Sequence, residues 1–204
     1  MRTPPYRIET DRLVVRCWEP RDAPLLKEAV ESGLTHLRAF MIWAPDAPEP
    51  LEDVIGRLRG FRADFDRDEN WIMGIFDADE RQVLGGTGLH PRQGPGGLEI
   101  GYWLRADAVG NGYATEVAAA LTRIGIEHCG VDRIEIRIDP ANASSLPIPR
   151  RLGFTEEATL RRRLEARDGP LRDVVVFTLF ADELAGTAAG EAQYRAFDAA
   201  GRPL

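Results

Sequence analysis

One segment near the middle of the chain constrains the fold more than any other. Residues 98–104 are mostly apolar and typical of a buried β-strand, and a turn containing Gly110 and Gly112 follows them. Beyond the turn, residues recur at helical spacing on one face: Ala114, Val117, Ala118, Leu121, Ile124 and His128. A buried strand joined through glycines to an amphipathic helix predicts a sheet covered by helices, an α/β architecture.

A helix that starts directly after a glycine turn is a favourable place for an anion. Its first N–H groups lack partners, and the helix dipole adds positive charge there. Gly110 and Gly112 let the backbone approach an anion closely, although a tight strand-to-helix connection also needs glycine for purely structural reasons. No Lys-Ser or Lys-Thr follows, and the third glycine of a dinucleotide fingerprint is absent, so both of those phosphate motifs are excluded.

The remaining periodicities predict a mixed sheet with helices on both faces. Strands are predicted at residues 13–18, 71–76, 82–89, 98–104, 133–138, 160–165 and 173–180. Helices are predicted at residues 22–30, 34–41, 51–67 and 114–128, with a short one ending before Gly153. We expect a sheet of about seven strands within a single domain of residues 1–184. Residues 185–204 form a C-terminal appendage whose role the sequence leaves open.

Composition and charge narrow the class of partner. No apolar run approaches the length of a membrane span, and the first ten residues lack the apolar core of a signal peptide. The net charge of −7 opposes nucleic-acid binding and suits a cationic partner such as an amine. We therefore expect a cytoplasmic protein with no membrane or nucleic-acid partner. The two cysteines are expected to be free thiols, with one buried disulfide as the alternative, and three widely spaced histidines predict no metal site.

Five short segments, each modest alone, occur in a specific order and spacing. They are Ile8-Glu9-Thr10-Asp11-Arg12-Leu13, His36-Leu37-Arg38-Ala39-Phe40 before Trp43-Ala44, Glu99-Ile100-Gly101-Tyr102-Trp103-Leu104, Gly110-Asn111-Gly112-Tyr113-Ala114-Thr115-Glu116, and Asn142-Ala143-Ser144-Ser145 ahead of Leu152-Gly153-Phe154. Together they resemble the GNAT superfamily of N-acetyltransferases, in its ribosomal-protein N-terminal acetyltransferase (RimJ/RimL-like) branch.

The resemblance implies transfer of an acetyl group from acetyl-CoA to a primary amine, with a protein N-terminal α-amino group as the leading expectation. We expect direct transfer in a ternary complex, because a cysteine nucleophile is disfavoured, and we expect no metal. The resemblance also implies a mostly antiparallel sheet in which residues 98–104 and 133–138 form a splayed parallel pair around the pantetheine arm.

The family's pyrophosphate signature, Gln/Arg-x-x-Gly-x-Gly/Ala, falls on residues 109–114. Val109 replaces the leading polar residue, so we expect binding mainly through backbone N–H groups. The predicted cofactor contacts are Val109, Gly110, Asn111, Gly112, Tyr113, Ala114, Thr115 and Asn142.

Acetyl transfer to an amine needs a proton acceptor and benefits from a donor to the departing thiolate. Glu99 is the candidate base, because it is a carboxylate in an otherwise apolar strand where several GNAT enzymes carry a basic glutamate. The alternative is a strand glutamate that is solvated or paired with an arginine.

The resemblance implies roles for two residues that follow the strand at 133–138. Asn142 would hold the pantetheine or the substrate, and Ser145 would protonate the thiolate, while helix capping is the alternative for both. Pro147 and Pro149, early in the next helix, leave open whether Ser144 rather than Ser145 faces the sulfur.

Trp43, Trp71 and Tyr102 are candidates for lining an acceptor groove, with burial in the core as the alternative. An open groove would fit a peptide. A closed acidic pocket would fit a small amine such as an aminoglycoside, a polyamine or an amino-acid-like toxin. A CoA-binding module without catalysis is a third hypothesis, and a homodimer is compatible with each. Cys129 is not expected to act as a nucleophile, because the negative end of a helix disfavours a thiolate.

Overall fold

A single sheet of nine strands runs through the molecule, and the computed structural model describes residues 1–204. The strands are β1 (Arg7–Glu9), β2 (Leu13–Cys17), β3 (Trp71–Asp77), β4 (Val83–His90), β5 (Gly97–Leu104), β6 (Arg133–Ile138), β7 (Thr155–Leu164), β8 (Arg172–Phe180) and β9 (Arg195–Phe197). Their order across the sheet is β7-β8-β6-β5-β4-β3-β2-β1-β9, and every neighbouring pair is antiparallel except β5 and β6. The predicted mixed, mostly antiparallel α/β fold is confirmed.

Five α-helices accompany the sheet. They are α1 (Ala23–Glu31), α2 (Leu34–Arg38), α3 (Leu51–Asp66), α4 (Tyr113–Arg123) and α5 (Pro147–Leu152). A π-helical turn, Ile124–His128, extends α4, so the predicted helix runs to its expected end in a wider winding. None of these helices has both the length and the apolar character that crossing a membrane requires.

Each face of the sheet has its own apolar core. A cluster of 35 buried residues includes the inner faces of α4 and α5, and a cluster of 12 lies beneath α1, α2 and α3. Side chains alternate along β5 and contribute to both clusters. Leu98 and Ile100 belong to the larger cluster, whereas Trp103 packs against the smaller one. The strand therefore presents side chains to helices on both sides.

The parallel pair at the centre of the sheet is short. Gly97–Glu99 of β5 pairs with Arg133–Glu135 of β6, and pairing ends there. Beyond Glu99, β5 remains bonded to β4, and β6 remains bonded to β8. The two strands separate towards their carboxyl ends and open a gap in the sheet, as the splayed pair requires.

The sheet is larger than predicted. β1 and β9 are the additional strands, each has three residues, and they pair with each other with Ile8 opposite Ala196. Three residues are too few to show an alternation pattern, which explains why the sequence did not reveal them. β9 lies within residues 185–204, so the C-terminal appendage contributes a strand to the sheet. β7 begins at Thr155 rather than at residue 160, because two register shifts interrupt its alternation.

Candidate functional site

The connection from β5 to α4, called here the glycine turn (residues 109–115), presents free backbone donors. Gly110 and Gly112 have φ angles of +87° and +80°, a conformation that other residues rarely adopt. Glu116 is the first residue of the helix whose N–H has an intrahelical partner, the Gly112 carbonyl at 3.0 Å. The N–H groups of residues 113–115 have no partner in the protein, so they are available to an anion.

A cavity of about 210 Å³ lies where β5 and β6 separate. Its walls come from the end of β5, the glycine turn, α2 with the residues after it, and the segment from Asn142 to α5. Seven of the eight predicted cofactor contacts line it; the exception is Asn111, whose side-chain amide donates to the Ala108 carbonyl at 3.2 Å. Eighteen residues line the cavity, and none is Asp or Glu. No group of three or more His, Cys, Asp or Glu is placed to hold a metal ion.

Tyr102 places a hydroxyl group in the cavity wall. The oxygen is buried and has no hydrogen-bond partner of normal geometry. Burial raises the pKa of Tyr102 well above its usual range, and the adjacent Ser145 side chain offsets part of that rise. Tyr102 therefore stays protonated at neutral pH, with an O–H group available to donate to a bound molecule.

Asn142 organises the turn that leads into α5. Its Oδ1 accepts a hydrogen bond from Ser144 Oγ at 2.8 Å and another from the Ser145 N–H at 3.2 Å. The first turn of α5 has no side-chain cap, so the Ser145 hydroxyl does not cap this helix. The prolines at 147 and 149 fit the start of α5, where N–H groups lack intrahelical partners in any case. Asn142, Ser144 and Ser145 all line the cavity.

Glu99 is the last residue of β5 that pairs with β6, and it does not line the cavity. Its side chain is 8% exposed, and its two oxygens accept hydrogen bonds from the Arg92 guanidinium and the Gln93 amide. Arg137 is a second nearby arginine, with its Nε 3.9 Å from Glu99 Oε2. The structure thus contains the arginine-paired arrangement that the sequence offered as an alternative, and a catalytic role for Glu99 stays a prediction.

The three aromatic residues that were predicted to line the acceptor groove occupy different places. Trp71 is 1% exposed in the larger core, where its Nε1 donates to Asp68 Oδ1 at 3.3 Å, and it does not line the cavity. Trp43 is 45% exposed and packs edge-on against Trp103, with ring centroids 5.4 Å apart. Trp103 and Tyr102 line the cavity. The structure therefore brings Tyr102 to the cavity directly and Trp43 to its rim.

Several lining residues were not predicted as site residues; among them are His36 on α2, Phe40 just after it, and Arg151 on α5. The first two belong to one of the five segments that carry the family resemblance, so that segment was their signal. Arg151 had no signal, because two adjacent arginines on a six-residue helix, Arg150 and Arg151, form no distinguishing pattern.

Residues 12–155 match the family model described as the Acetyltransferase (GNAT) domain, which covers most of the chain and every element of the cavity. The chain belongs to the GNAT acetyltransferase family. The predicted family is thereby confirmed, and so is the activity class, an N-acetyltransferase that uses acetyl-CoA.

Individual relatives agree with this assignment. The acetyltransferase is 27% identical over 184 residues to the ribosomal protein uS5-alanine N-acetyltransferase of Escherichia coli, covering 86% of this chain and 91% of that one. Its fold is similar to that of the ribosomal-protein-S5-alanine acetyltransferase from Vibrio fischeri, with a TM-score of 0.77, 18% identity, and coverage of 87% and 98%. It is also similar to the microcin C7 self-immunity acetyltransferase solved with acetyl-CoA and AMP, with a TM-score of 0.75, 21% identity, and coverage of 84% and 93%.

Proposed function

We propose that this acetyltransferase transfers the acetyl group of acetyl-CoA directly to the α-amino group at a polypeptide N-terminus. The observation that carries the proposal is the character of the cavity, which has no acidic residue among its eighteen lining residues. A polyamine or an aminoglycoside carries several positive charges and would need carboxylates around it. A polypeptide N-terminus presents one amine, and the residues behind it can bind through apolar contacts.

The rim of the cavity offers such contacts. Ile42 and Trp43 follow the lining residues of α2 and are 49% and 45% exposed. Leu171, which is 52% exposed, lies on the β7–β8 hairpin. The hairpin is fastened beside this segment, because Arg172 donates to the Ala39 carbonyl at 3.3 Å. Exposed apolar side chains gathered at a cavity mouth are typical of a surface that binds another chain.

The cysteines support direct transfer rather than an acetyl-enzyme. Cys17 and Cys129 are free and buried, and neither lines the cavity. Burial raises the pKa of both thiols to about 12, so neither forms a thiolate near neutral pH. In the proposed scheme, with no cysteine thiolate available, the acceptor amine attacks the thioester itself while both substrates are bound.

The chain's residues have distinct roles in this scheme. The free N–H groups of the glycine turn bind the pyrophosphate, and Asn142 holds the segment that contacts the pantetheine arm. The Tyr102 hydroxyl and Ser145 lie where the strands separate and donate hydrogen bonds to the oxygen or sulfur of the reacting thioester. Acetyl-CoA supplies the activated acyl group, and its thiolate departs readily because thiols are far more acidic than alcohols (the cysteine thiol has a pKa of about 8.5).

The name of the Escherichia coli relative describes an enzyme that acts on the alanine of a ribosomal protein, which agrees with an N-terminal acceptor. The test is acetyl-CoA consumption with peptides that differ in their first residues, followed by mass-spectrometric location of the acetyl group. The matched control is each peptide with a blocked N-terminus and a free lysine. Turnover only with free N-termini is expected. Turnover with spermidine or an aminoglycoside but with no peptide would overturn the polypeptide acceptor, and CoA binding without any turnover would indicate a binding module.

A further inference from the structure

Arg12 lies against the glycine turn, and we infer that it is a ligand for a phosphate group of CoA. The inference rests on the proposed placement of the cofactor pyrophosphate at this turn. No side chain of the turn itself is positively charged, and its first residue, Val109, is apolar and 40% exposed. A cation beside the turn must therefore come from elsewhere in the chain.

The loop between β1 and β2 brings Arg12 to this place. Its Nη1 donates to the Asn111 carbonyl at 3.0 Å, and its guanidinium carbon lies 4.8 Å from the centre of the Tyr113 ring. A Cβ atom added to Gly112 would be 3.5 Å from its Nη2. The guanidinium thus borders the free backbone donors of the glycine turn.

Glu116 fixes the arginine in this position. Arg12 Nε donates to Glu116 Oε2 at 2.8 Å, and Nη2 lies 2.6 Å from the same oxygen. The other carboxylate oxygen accepts from Thr10 Oγ1 at 2.6 Å and from the Arg12 backbone N–H at 3.3 Å. Because Glu116 is in the first turn of α4, this network ties Arg12 to the same helix whose N-terminus binds the anion.

The arginine has donors left over. A guanidinium carries five N–H groups. Nε–H, one N–H of Nη1 and one of Nη2 are used by Glu116 and the Asn111 carbonyl. Two N–H groups remain, on a side chain that is 50% exposed. Two donors on a planar fork suit the oxygens of a phosphate group, and a fork that is already fixed loses little freedom on binding.

The contrary interpretation is that Arg12 only neutralises Glu116 and supports the turn. Calorimetric titration with CoA, on the full-length chain, separates the two. We expect Arg12→Ala to weaken CoA binding at least about tenfold, and Arg12→Lys to weaken it less because the charge remains. The Arg12→Ala/Glu116→Gln double variant is expected to stay as weak as Arg12→Ala. Arg59→Ala is the matched control, since Arg59 is exposed on α3, and is expected to bind like the wild type.

Two further measurements complete the experiment. The difference in CoA affinity between wild type and Arg12→Ala should shrink at high salt, because screening weakens a contact between charges. Titration with 3′-dephospho-CoA identifies which phosphate Arg12 contacts. If the affinity difference between wild type and Arg12→Ala is undiminished with this ligand, Arg12 contacts the pyrophosphate. If the difference disappears, Arg12 contacts the 3′-phosphate. Recovery of wild-type affinity in the double variant, or equal losses in Arg12→Ala and Arg12→Lys at every salt concentration, would overturn the inference. A wild-type chain that binds no CoA would instead refute the proposed cofactor site.

Discussion

The hydroxyl of Tyr102 is buried beside the Ser145 side chain, at the point where β5 and β6 separate and where both residues line the cavity. One residue comes from a strand and the other from the turn before α5, so the gap in the sheet is what brings them together. Neither hydroxyl is committed to a hydrogen bond of normal geometry within the protein. The pair is therefore a preorganised source of hydrogen bonds for a reacting thioester.

Tyr102→Phe is expected to separate stability from activity. It removes a buried hydroxyl that has no partner, so the free energy of unfolding should stay the same or rise by about 1 kcal/mol. Turnover should fall at least about tenfold, because a hydrogen bond to the developing negative charge is lost. Thermal melting and kcat on the same samples test this, and an unchanged kcat would remove Tyr102 from the mechanism.

Ser145→Ala should lower turnover with little effect on stability, because this hydroxyl caps no helix. The loss should be near the low end of the 10²–10⁴-fold range for acid–base groups, since a thiolate leaves readily without help. Asn142→Ala should cost about 1 kcal/mol of stability, because Asn142 does cap the turn. Ser144→Ala is the control that shows which of the two neighbouring serines faces the sulfur. An activity loss confined to Ser144→Ala would show that the neighbouring serine faces the sulfur.

Gly112→Asp should abolish tight CoA binding. The substitution forces a side chain into a conformation with φ of +80° and adds a negative charge beside the free N–H groups. Gly130→Asp is a matched control, because Gly130 has a φ of +75° and open space around it. We expect calorimetry to show at least about a tenfold loss of CoA affinity for the first variant only. Equal affinities for the two variants would place the phosphates elsewhere.

Glu99→Gln distinguishes the two roles that the sequence suggested for this residue. The paired geometry predicts a loss of stability of about 1–3 kcal/mol, because a neutral glutamine loses the ion pair that the largely buried carboxylate makes with Arg92. Turnover per folded molecule should then change by less than about tenfold. A fall of 10²–10⁴-fold with an altered pH–rate profile would instead establish Glu99 as the general base.

His90 should make stability depend on pH. Burial, followed by the charge of Arg92, lowers the pKa of His90 from 6.5 to about 4, and its Nδ1 is 2.6 Å from Asn70 Oδ1. Between pH 6.5 and 4 the unfolded chain binds the proton while the folded chain does not, so stability falls as pH decreases through this window. The full effect is at most about 3.4 kcal/mol. Chemical denaturation at several pH values should show a flatter profile for His90→Gln, and parallel profiles would contradict the assignment.

The sequence by itself determined the features that depend only on residues close together in the chain. Gly110 and Gly112 between an apolar strand and an amphipathic helix specified the turn, because only glycine adopts its φ angles readily. The alternation at residues 133–138 and the helical spacing from Ala114 onward specified β6 and α4, because each spacing matches the side-chain repeat of its element. The order of the five segments then sufficed for the family, since each has a fixed place in the fold.

Tertiary structure decided what depends on pairing across the chain. β1 and β9 have three residues each, and only their meeting makes them strands. Trp43 and Trp71 are chemically alike, yet one is exposed at the rim and the other buried, because burial depends on which element covers the position. The partners of Glu99 and of Arg12 were equally invisible, since Arg92 and Glu116 reach them only through the register of the sheet and the docking of α4. A local pattern fixes the conformation of a segment, whereas a long-range contact depends on the geometry of every segment between its partners.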